Sequence, residues 1–230
     1  MSRDADIATG LERTRERVAE ACTAAGRDPG ELTVVVVTKT YPAADVGILS
    51  DLGVRDVGEN RDQEAAAKAA ECADLPVRWH FVGQLQTNKA NSVARYASVV
   101  HSVDRPRLVR ALDRAAGGEG RRLDCLVQVS LDDAPGRGGV PADGVSEIAG
   151  MIADADALRL AGVMAVSPLE AEPERAFATL ARISERLRHE HPTAMWISAG
   201  MSADMEAAIR HGATHLRVGS AILGKRPYPG

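Results

Sequence analysis

The chain has 230 residues, of which 45% are hydrophobic and 26% charged, and its net charge is −4. This balance is typical of a soluble globular protein. Basic residues are spread along the chain and only 3% of residues are aromatic, which disfavours a nucleic-acid partner. No apolar run approaches the ~18 residues of a membrane span, and the three cysteines are far apart, as expected for reduced thiols. We therefore expect a cytoplasmic protein with neither a membrane nor a nucleic-acid partner.

In chain order, one helix is followed by an alternation of short apolar strands and amphipathic helices. Apolar residues from Ile7 to Cys22 recur at helical intervals and predict a helix over Asp4–Ala25. The predicted strands are Thr33–Lys39, Arg55–Gly58, Arg78–Val82, Ser98–Ser102, Leu123–Ser130, Arg159–Ala165, Met195–Ala199 and Leu216–Gly219. The predicted helices after the first are Ala43–Leu52, Arg61–Ala70, Thr87–Tyr96, Arg105–Ala116, Pro141–Asp154, Pro173–His189 and Ala203–His211, with a short last helix after Ser220.

This alternation predicts the fold class. Strands that are apolar throughout and separated by helices pair in parallel and are covered by those helices. Eight such units close into a barrel, so the sequence predicts a single-domain (β/α)8 TIM barrel over residues 1–230 with an extra N-terminal helix. An open doubly wound sheet is the alternative, but no GxGxxG fingerprint follows the first strand.

A lysine, Lys39, ends the most apolar predicted strand, which carries four valines at positions 34–37. Lys39 is either a nucleophile that faces a pocket or a rim residue whose ammonium group reaches water. Active sites of such barrels lie at the C-terminal ends of the strands. Polar and glycine residues gather at those ends, in the stretches GEN (58–60), WHFVGQLQTNK (79–89), HSVDR (101–105), MAVSP (164–168), SAGMS (198–202) and RVGS (217–220). This clustering favours the pocket-facing role.

The last two stretches predict a phosphate site. Gly200 and Ser202 precede one helix, and Gly219 and Ser220 precede another. Barrels often bind phosphate with the loops after strands seven and eight, where amide N–H groups at a helix N-terminus face the anion. Ser202 taken alone is equally well explained as a helix N-cap. A lysine and a phosphate site facing each other across the end of the barrel suit a phosphorylated aldehyde, of which pyridoxal 5′-phosphate is the obvious example.

An arginine on the eighth strand, Arg217, bears on what such a ligand is used for. A carboxylate beside the pyridine nitrogen of this cofactor makes its ring an electron sink. Arginine stays protonated and only donates hydrogen bonds, so Arg217 in that place predicts poor stabilisation of a carbanion. The alternative is an arginine of the barrel interior or surface with no part in binding.

The motifs VVVVTKTYP, VGENRDQE, WHFVGQLQTNK, VHSVD, MAVSP and SAGMSADMEAAIRHGATHLRVGSAILG resemble those of the pyridoxal-phosphate homeostasis protein family, which is related to the N-terminal barrel of alanine racemases. The resemblance runs in order over almost the whole chain. It implies that pyridoxal 5′-phosphate is carried as a Schiff base on Lys39. The phosphate would contact Ser202, Gly219 and Ser220, with Arg217 towards the ring nitrogen. The cofactor-binding set that it implies is Lys39, Asn60, His80, Met201, Ser202, Arg217, Gly219 and Ser220.

The resemblance further implies an intracellular role in vitamin B6 homeostasis without robust catalytic activity. The partners would be pyridoxal phosphate and the apoenzymes that depend on it, and a monomer is expected. A weak amino-acid racemase is the alternative, although the second domain that supplies a catalytic tyrosine in racemases has no counterpart here. A phosphosugar-type barrel enzyme is a third candidate.

Some of these residues also have structural explanations. Asn60 and Gln63 resemble a capping box that begins a helix. His80 could be a hydrogen-bonded core histidine, and for His101 a structural role is favoured. The irregular stretch Leu131–Gly139 predicts a loop at the end of the barrel, where a role for Arg137 is open.

Overall fold

The computed structural model describes residues 2–132, 138–168 and 172–225, in which eight parallel strands form one closed barrel. The strands are β1 (Thr33–Val37), β2 (Asp56–Glu59), β3 (Arg78–Phe81), β4 (Val99–Val103), β5 (Leu123–Gln128), β6 (Leu158–Met164), β7 (Trp196–Ser198) and β8 (His215–Val218). The α-helices are α1 (Arg3–Ala24), α2 (Ala43–Asp51), α3 (Asp62–Glu71), α4 (Ala90–Tyr96), α5 (Pro106–Gly118), α6 (Val145–Ala153), α7 (Pro173–Glu190), α8 (Met205–Arg210) and α9 (Ser220–Leu223). Short 3-10 helices cover Pro29–Glu31, Thr87–Lys89 and Ala142–Gly144.

The barrel closes because β1 pairs with β2 on one side and with β8 on the other. Val36 lies opposite Val57 of β2 and opposite Val218 of β8. The predicted barrel with an additional N-terminal helix is therefore confirmed, and the open doubly wound sheet is wrong. Within the described part of the chain, no helix combines the length and the apolarity that crossing a membrane requires.

Several elements are shorter than their apolar patterns predict. β1 ends at Val37, the last residue that pairs with β2, so Lys39 lies in the following loop. β5 ends at Gln128, which pairs with Met164 at the end of β6. Beyond these points Thr38 and Lys39 follow β1, and Val129 and Ser130 follow β5. The residues that follow are thus free to form the loops at the C-terminal ends of the strands, which we call the mouth.

Helix α1 lies against α8 and α9 and holds the loops that precede them. A Cβ atom on Gly10 would stand 2.4 Å from the carbonyl oxygen of Ile222, so the close approach of α1 and α9 requires glycine. Arg17 donates to the carbonyl oxygen of Ser202 (3.2 Å) and pairs with Glu206 (2.6 Å). The N-terminal helix therefore fixes, from outside the barrel, both loops that were predicted to bind phosphate.

The main apolar core lies between the barrel and its helices, whereas the barrel interior is partly polar. On α5, for example, Leu108, Val109 and Leu112 are buried, and each stabilises the fold by about 1.5–3 kcal/mol. Inside the barrel, by contrast, His101 and Ser198 are fully buried and Arg217 is 6% exposed. A small separate apolar cluster accompanies them, formed by Val99, Leu126, Ala161 and Met164.

Candidate cofactor-binding site

A cavity of about 400 Å³ opens at the mouth, a size typical of small-molecule sites. Its lining comes from the C-terminal ends of six strands and comprises Val37, Lys39, Tyr41, Asn60, Val82, Val166, Met201, Ser202, Ala203, Arg217, Gly219 and Ser220. The structure thus brings together all the residues of the predicted binding set except His80. We call this space the mouth cavity.

The loop that carries Lys39 is held in an unusual conformation by charged side chains beneath it. Thr40 has φ = 70°, a left-handed conformation that costs a β-branched residue roughly 1–3 kcal/mol. Its N–H donates to the carboxylate of Glu64. The buried Lys68 donates to the carbonyl oxygen of Thr38 (2.8 Å) and to the carboxylates of Glu64 (3.1 Å) and Glu59 (2.5 Å). This network orders the backbone on both sides of Lys39.

The loop after β7 forms one side of the mouth cavity. Gly200 has φ = 89°, and a Cβ there would lie 2.6 Å from the Cβ of Ala208, so the turn requires glycine. The carboxylate of Asp204 accepts a hydrogen bond from the N–H of Met201 (2.6 Å). Helix α8 begins at Met205 with Asp204 as its N-cap, so the interpretation of Ser202 as an N-cap is wrong. Ser202 lines the cavity instead.

The loop after β8 continues directly into α9. Gly219 accepts hydrogen bonds at its carbonyl oxygen from the N–H groups of Ile222 (3.0 Å) and Leu223 (2.9 Å). The N–H groups of Ser220 and Ala221 precede these bonds, as is general for the first turn of a helix. They lie at the end of the helix that carries partial positive charge. The predicted phosphate site beside Ser220 depends on these two N–H groups, and it stays a prediction.

Lys39 and Ser220 are neighbours at the mouth. The prediction that the lysine and the phosphate site face each other across the mouth is wrong, because closure of the barrel sets β1 beside β8. A Cβ on Gly219 would stand only 3.1 Å from the carbonyl oxygen of Val37. The amine and the anion site consequently lie at adjacent strand ends.

Arg217 is buried in the interior and still lines the cavity. Its Nη1 donates to the hydroxyl oxygen of Ser198 (2.6 Å), and its Nη2 donates to the carbonyl oxygen of Ala165 (2.8 Å). Burial lowers the pKa of the Arg217 guanidinium to about 10, so it remains a cation at neutral pH. Arg217 is thus an arginine of the barrel interior that also borders the cavity, and its predicted role towards a ring nitrogen stays a prediction.

His80 lies below the mouth cavity rather than in its wall. Its Nε2 is 2.8 Å from the carboxylate of Asp56, and its Nδ1 is 2.9 Å from the Nε2 of His101. Burial lowers the pKa of His80, despite the contact with Asp56. Side chains of a strand alternate between its two faces. Val82, two residues after His80, therefore lies on the same side and is the residue that lines the cavity. The location matches the core-histidine alternative.

Asn60 lines the cavity and does not begin a helix. α3 starts at Asp62, and its N-cap is Arg61 without a side-chain hydrogen bond, so the capping-box interpretation of Asn60 is wrong. A Cβ on Gly83 would overlap the backbone oxygen of Asn60 at 2.1 Å. Glycine at position 83 therefore lets the loops after β2 and β3 meet at the cavity.

Sequence reasoning missed Tyr41, which lines the cavity and donates through its hydroxyl to the carbonyl oxygen of Gly224 (2.6 Å). Its position two residues after Lys39 was the available signal. Ser198 and His101, which lie behind Arg217, were not connected with it either, since they belong to different strands. Part of the loop predicted over Leu131–Gly139, including Arg137, lies outside the described residues.

Comparisons with known proteins show the family to which the chain is similar. The family model described as alanine racemase, N-terminal domain, matches residues 11–227. The pyridoxal phosphate homeostasis protein of Mycobacterium bovis is 44% identical, with 97% of this chain and 94% of that protein covered. The protein of the same name from Escherichia coli K12 is 36% identical, with 97% and 98% covered.

Among solved structures, PipY of Synechococcus elongatus PCC7942 with PLP bound is 32% identical. The alignment has a TM-score of 0.80 and covers 90% of this chain and all of PipY (100%). Alanine racemase from Corynebacterium glutamicum is 14% identical with a TM-score of 0.72, covering 99% of this chain and 62% of that chain. The likeness to the racemase concerns the fold.

Proposed function

The chain belongs to the pyridoxal phosphate homeostasis protein family, and we propose that it carries pyridoxal 5′-phosphate in the mouth cavity, attached through Lys39, without robust catalysis. Pyridoxal phosphate is its cofactor, as its close relatives indicate. The observation that carries the site assignment is that one cavity gathers a lysine, a backbone anion site and a buried arginine.

The cavity suits the phosphate end of this cofactor. The N–H groups of Ser220 and Ala221 belong to the first turn of α9, and Ser202 and Ser220 line the same space. The nearby carboxylate of Asp204 is engaged by the N–H of Met201, which reduces its repulsion of an anion. We assign the phosphate to Ser202, Gly219 and Ser220, with Met201 and Asn60 along the wall.

The cavity also suits the reactive end and the ring. When bound, pyridoxal phosphate supplies an aldehyde that condenses with an amine and a pyridine ring that can accept electrons. Lys39 provides the amine next to the anion site. Arg217 presents a guanidinium that donates hydrogen bonds and cannot accept a proton at neutral pH, so it would leave a pyridine nitrogen unprotonated. A ring in that state withdraws electrons poorly, which supports a carrier over an enzyme.

We propose that the chain limits free cofactor in the cytoplasm and passes it to dependent apoenzymes, acting as a monomer in one domain over residues 1–230. Two apolar side chains at the cavity rim, Val166 and Met201, are 37% and 38% exposed. An open, partly apolar rim is compatible with release of the cofactor to another protein.

A weak amino-acid racemase remains the second candidate, because the family model is that of a racemase domain. A two-base racemase needs an acid or base on each face of the substrate carbon. Lys39 could serve one face. Tyr41 is the phenol in the cavity wall, but its hydroxyl is engaged by the carbonyl of Gly224. Incubation with L-alanine should yield no D-alanine at ordinary enzyme rates, and such turnover would overturn the carrier proposal.

The attachment is tested by reducing the cofactor-loaded protein with borohydride and mapping the modified peptide. We expect the label on Lys39. Lys89→Ala is the matched control, since Lys89 is a part-exposed lysine whose nearest carboxylate is Asp62 at 3.6 Å, and it should leave labelling unchanged. A label on Lys68 or any other lysine would contradict the proposal.

A further inference from the structure

A chain of hydrogen bonds runs through the barrel from the mouth cavity towards its opposite end. Arg217 Nη1 donates to Ser198 Oγ (2.6 Å), which lies 2.8 Å from His101 Nδ1. His101 Nε2 lies 2.9 Å from His80 Nδ1, and His80 Nε2 lies 2.8 Å from Asp56 Oδ1. The first four side chains are buried, and that of Asp56, at the start of β2, is 14% exposed.

The chemistry of the two ends fixes the direction of every bond in this chain. Arginine has only donors and an ionised carboxylate has only acceptors. Because Arg217 donates to Ser198, the Ser198 hydroxyl hydrogen is available for His101 Nδ1. His101 Nδ1 therefore carries no proton, and its proton resides on Nε2, facing His80 Nδ1.

The proton positions can also be assigned starting from Asp56, at the other end of the chain. The ionised carboxylate of Asp56 requires a proton on His80 Nε2, which leaves His80 Nδ1 as the acceptor for His101. Burial opposes ionisation of Asp56, but the hydrogen bond from His80 and the charge of Arg78, 2.6 Å away, outweigh it and lower its pKa. Both ends thus select the same pair of neutral Nε2–H tautomers.

The opposite arrangement would leave groups in conflict. With protons on both Nδ1 atoms, the unprotonated Nε2 of His80 would face the carboxylate of Asp56 at 2.8 Å, acceptor against acceptor. At the other end Ser198 would receive donors from both Arg217 and His101, and its own hydrogen would point to neither. A buried polar group without a partner costs about 1–3 kcal/mol, so the reversed chain is strongly disfavoured.

We propose that Asp56, His80, His101 and Ser198 are positioning residues that orient Arg217 in the wall of the mouth cavity, with Asp56 setting the direction of the hydrogen bonds from the far end of the barrel. The inference rests on the proposed function only for the identity of the ligand that Arg217 faces. The orientation itself belongs to the cofactor-free protein.

The test is long-range ¹H–¹⁵N NMR of the imidazoles in cofactor-free protein. Wild type should show His80 and His101 as neutral Nε2–H tautomers, together with slowly exchanging guanidinium signals from Arg217. An Nδ1–H tautomer at His101 would overturn the proposal, and this outcome is independent of whether the cavity binds pyridoxal phosphate.

Three variants separate positioning from packing. In Asp56→Ala only the rotatable Ser198 hydroxyl still selects the tautomers, so a second tautomer should become detectable at the two histidines. Bound pyridoxal phosphate should dissociate about tenfold faster, the loss expected for one hydrogen bond to a charged group. Asp56→Asn keeps an acceptor oxygen and should restore both properties. Ser198→Ala should make the guanidinium protons of Arg217 exchange faster with water. It should leave both histidine tautomers unchanged, because Asp56 still selects them.

Two results would contradict the positioning role. One is an Asp56→Ala protein with wild-type tautomers and wild-type Arg217 signals. The other, if Asp56→Ala does not fold, is a Ser198→Ala protein whose Arg217 signals and cofactor dissociation rate equal those of wild type.

Discussion

The mouth and the interior of the barrel both place polar groups around one arginine, but they do so with different means. At the mouth, polarity comes from backbone N–H groups, glycines and a lysine in loops such as the one at Gly219. In the interior, it comes from buried side chains such as His80 and His101, each satisfied by a partner on another strand. The mouth is built for a ligand, whereas the interior is complete without one.

This difference predicts that changes at the mouth alter binding with little effect on folding, and that changes in the interior alter folding. Substitutions in each region therefore separate binding from folding.

Lys39→Ala should abolish covalent attachment of pyridoxal phosphate while leaving the fold intact. The amine is the group that condenses with the aldehyde, and Lys39 is a loop residue outside the barrel ladder. The measurement is the visible absorption band of the loaded protein, with thermal unfolding recorded in parallel. A band that persists in Lys39→Ala but disappears in Lys89→Ala would place the attachment elsewhere.

Acid should destabilise the protein through the interior histidines. Burial lowers the pKa of His80 and of His101, and it lowers that of His215 to about 3. An unfolded histidine has a pKa of about 6.5, so the unfolded state binds protons first as the pH falls. The free energy of unfolding should therefore be constant above about pH 7 and decrease below about pH 6.5. Each histidine contributes about 1.4 kcal/mol per pH unit.

Urea unfolding at pH 7, 6 and 5 measures this dependence. His189→Gln is the control, because His189 is exposed on α7 and should leave the pH dependence unchanged. His215→Gln should make the free energy of unfolding fall less steeply with acid, by the about 1.4 kcal/mol per pH unit that one histidine contributes. Equal unfolding free energies at pH 7 and pH 5 in wild type would show that the interior imidazoles are not held neutral.

Gly219→Ala should weaken cofactor binding about tenfold, which corresponds to about 1.4 kcal/mol. The new Cβ would stand 3.1 Å from the carbonyl oxygen of Val37 and push the start of α9 away from the phosphate. Gly47→Ala is the matched control, because its Cβ would meet no atom within 4 Å other than its chain neighbours and the adjacent backbone of α2. It should stabilise α2 by about 0.5–1 kcal/mol without changing affinity. Equal affinities of the two variants in equilibrium titrations would remove Gly219 from the phosphate site.

The same contrast explains what could be predicted from the sequence. The strands and the mouth residues follow from local patterns: an apolar run that ends in Lys39, and glycine with serine before a helix at Ser220. The barrel rule then places such residues at one end. His80 entered the binding set through the family resemblance, whereas its place on β3, two residues before the cavity-lining Val82, puts it in the barrel interior. The link from Asp56 to Arg217 depends on closure of the barrel, which brings β2, β3, β4, β7 and β8 together.

Thr40→Asn should have the smallest effect, and it tests whether the mouth gives up stability to place its lysine. Thr40 is held at φ = 70°, a region that asparagine tolerates far better than a β-branched residue. The Thr40 hydroxyl has no hydrogen-bond partner among the described residues, so its removal should cost little. We expect the free energy of unfolding to rise by about 1 kcal/mol, the lower part of the usual cost of this conformation.

Thr9→Asn, on the exposed face of α1, is the control for the substitution itself and should change stability by less than about 0.5 kcal/mol. If Thr40→Asn gains no more stability than Thr9→Asn in urea unfolding, the turn beside Lys39 stores no strain. A gain in stability with slower attachment of pyridoxal phosphate would instead show that the strained turn keeps the Lys39 amine in place. The mouth would then be less stable than its sequence allows, because the conformation that binds the cofactor is strained. The hydrogen-bonded interior around His80 and His101 would supply the stability that tolerates this strain.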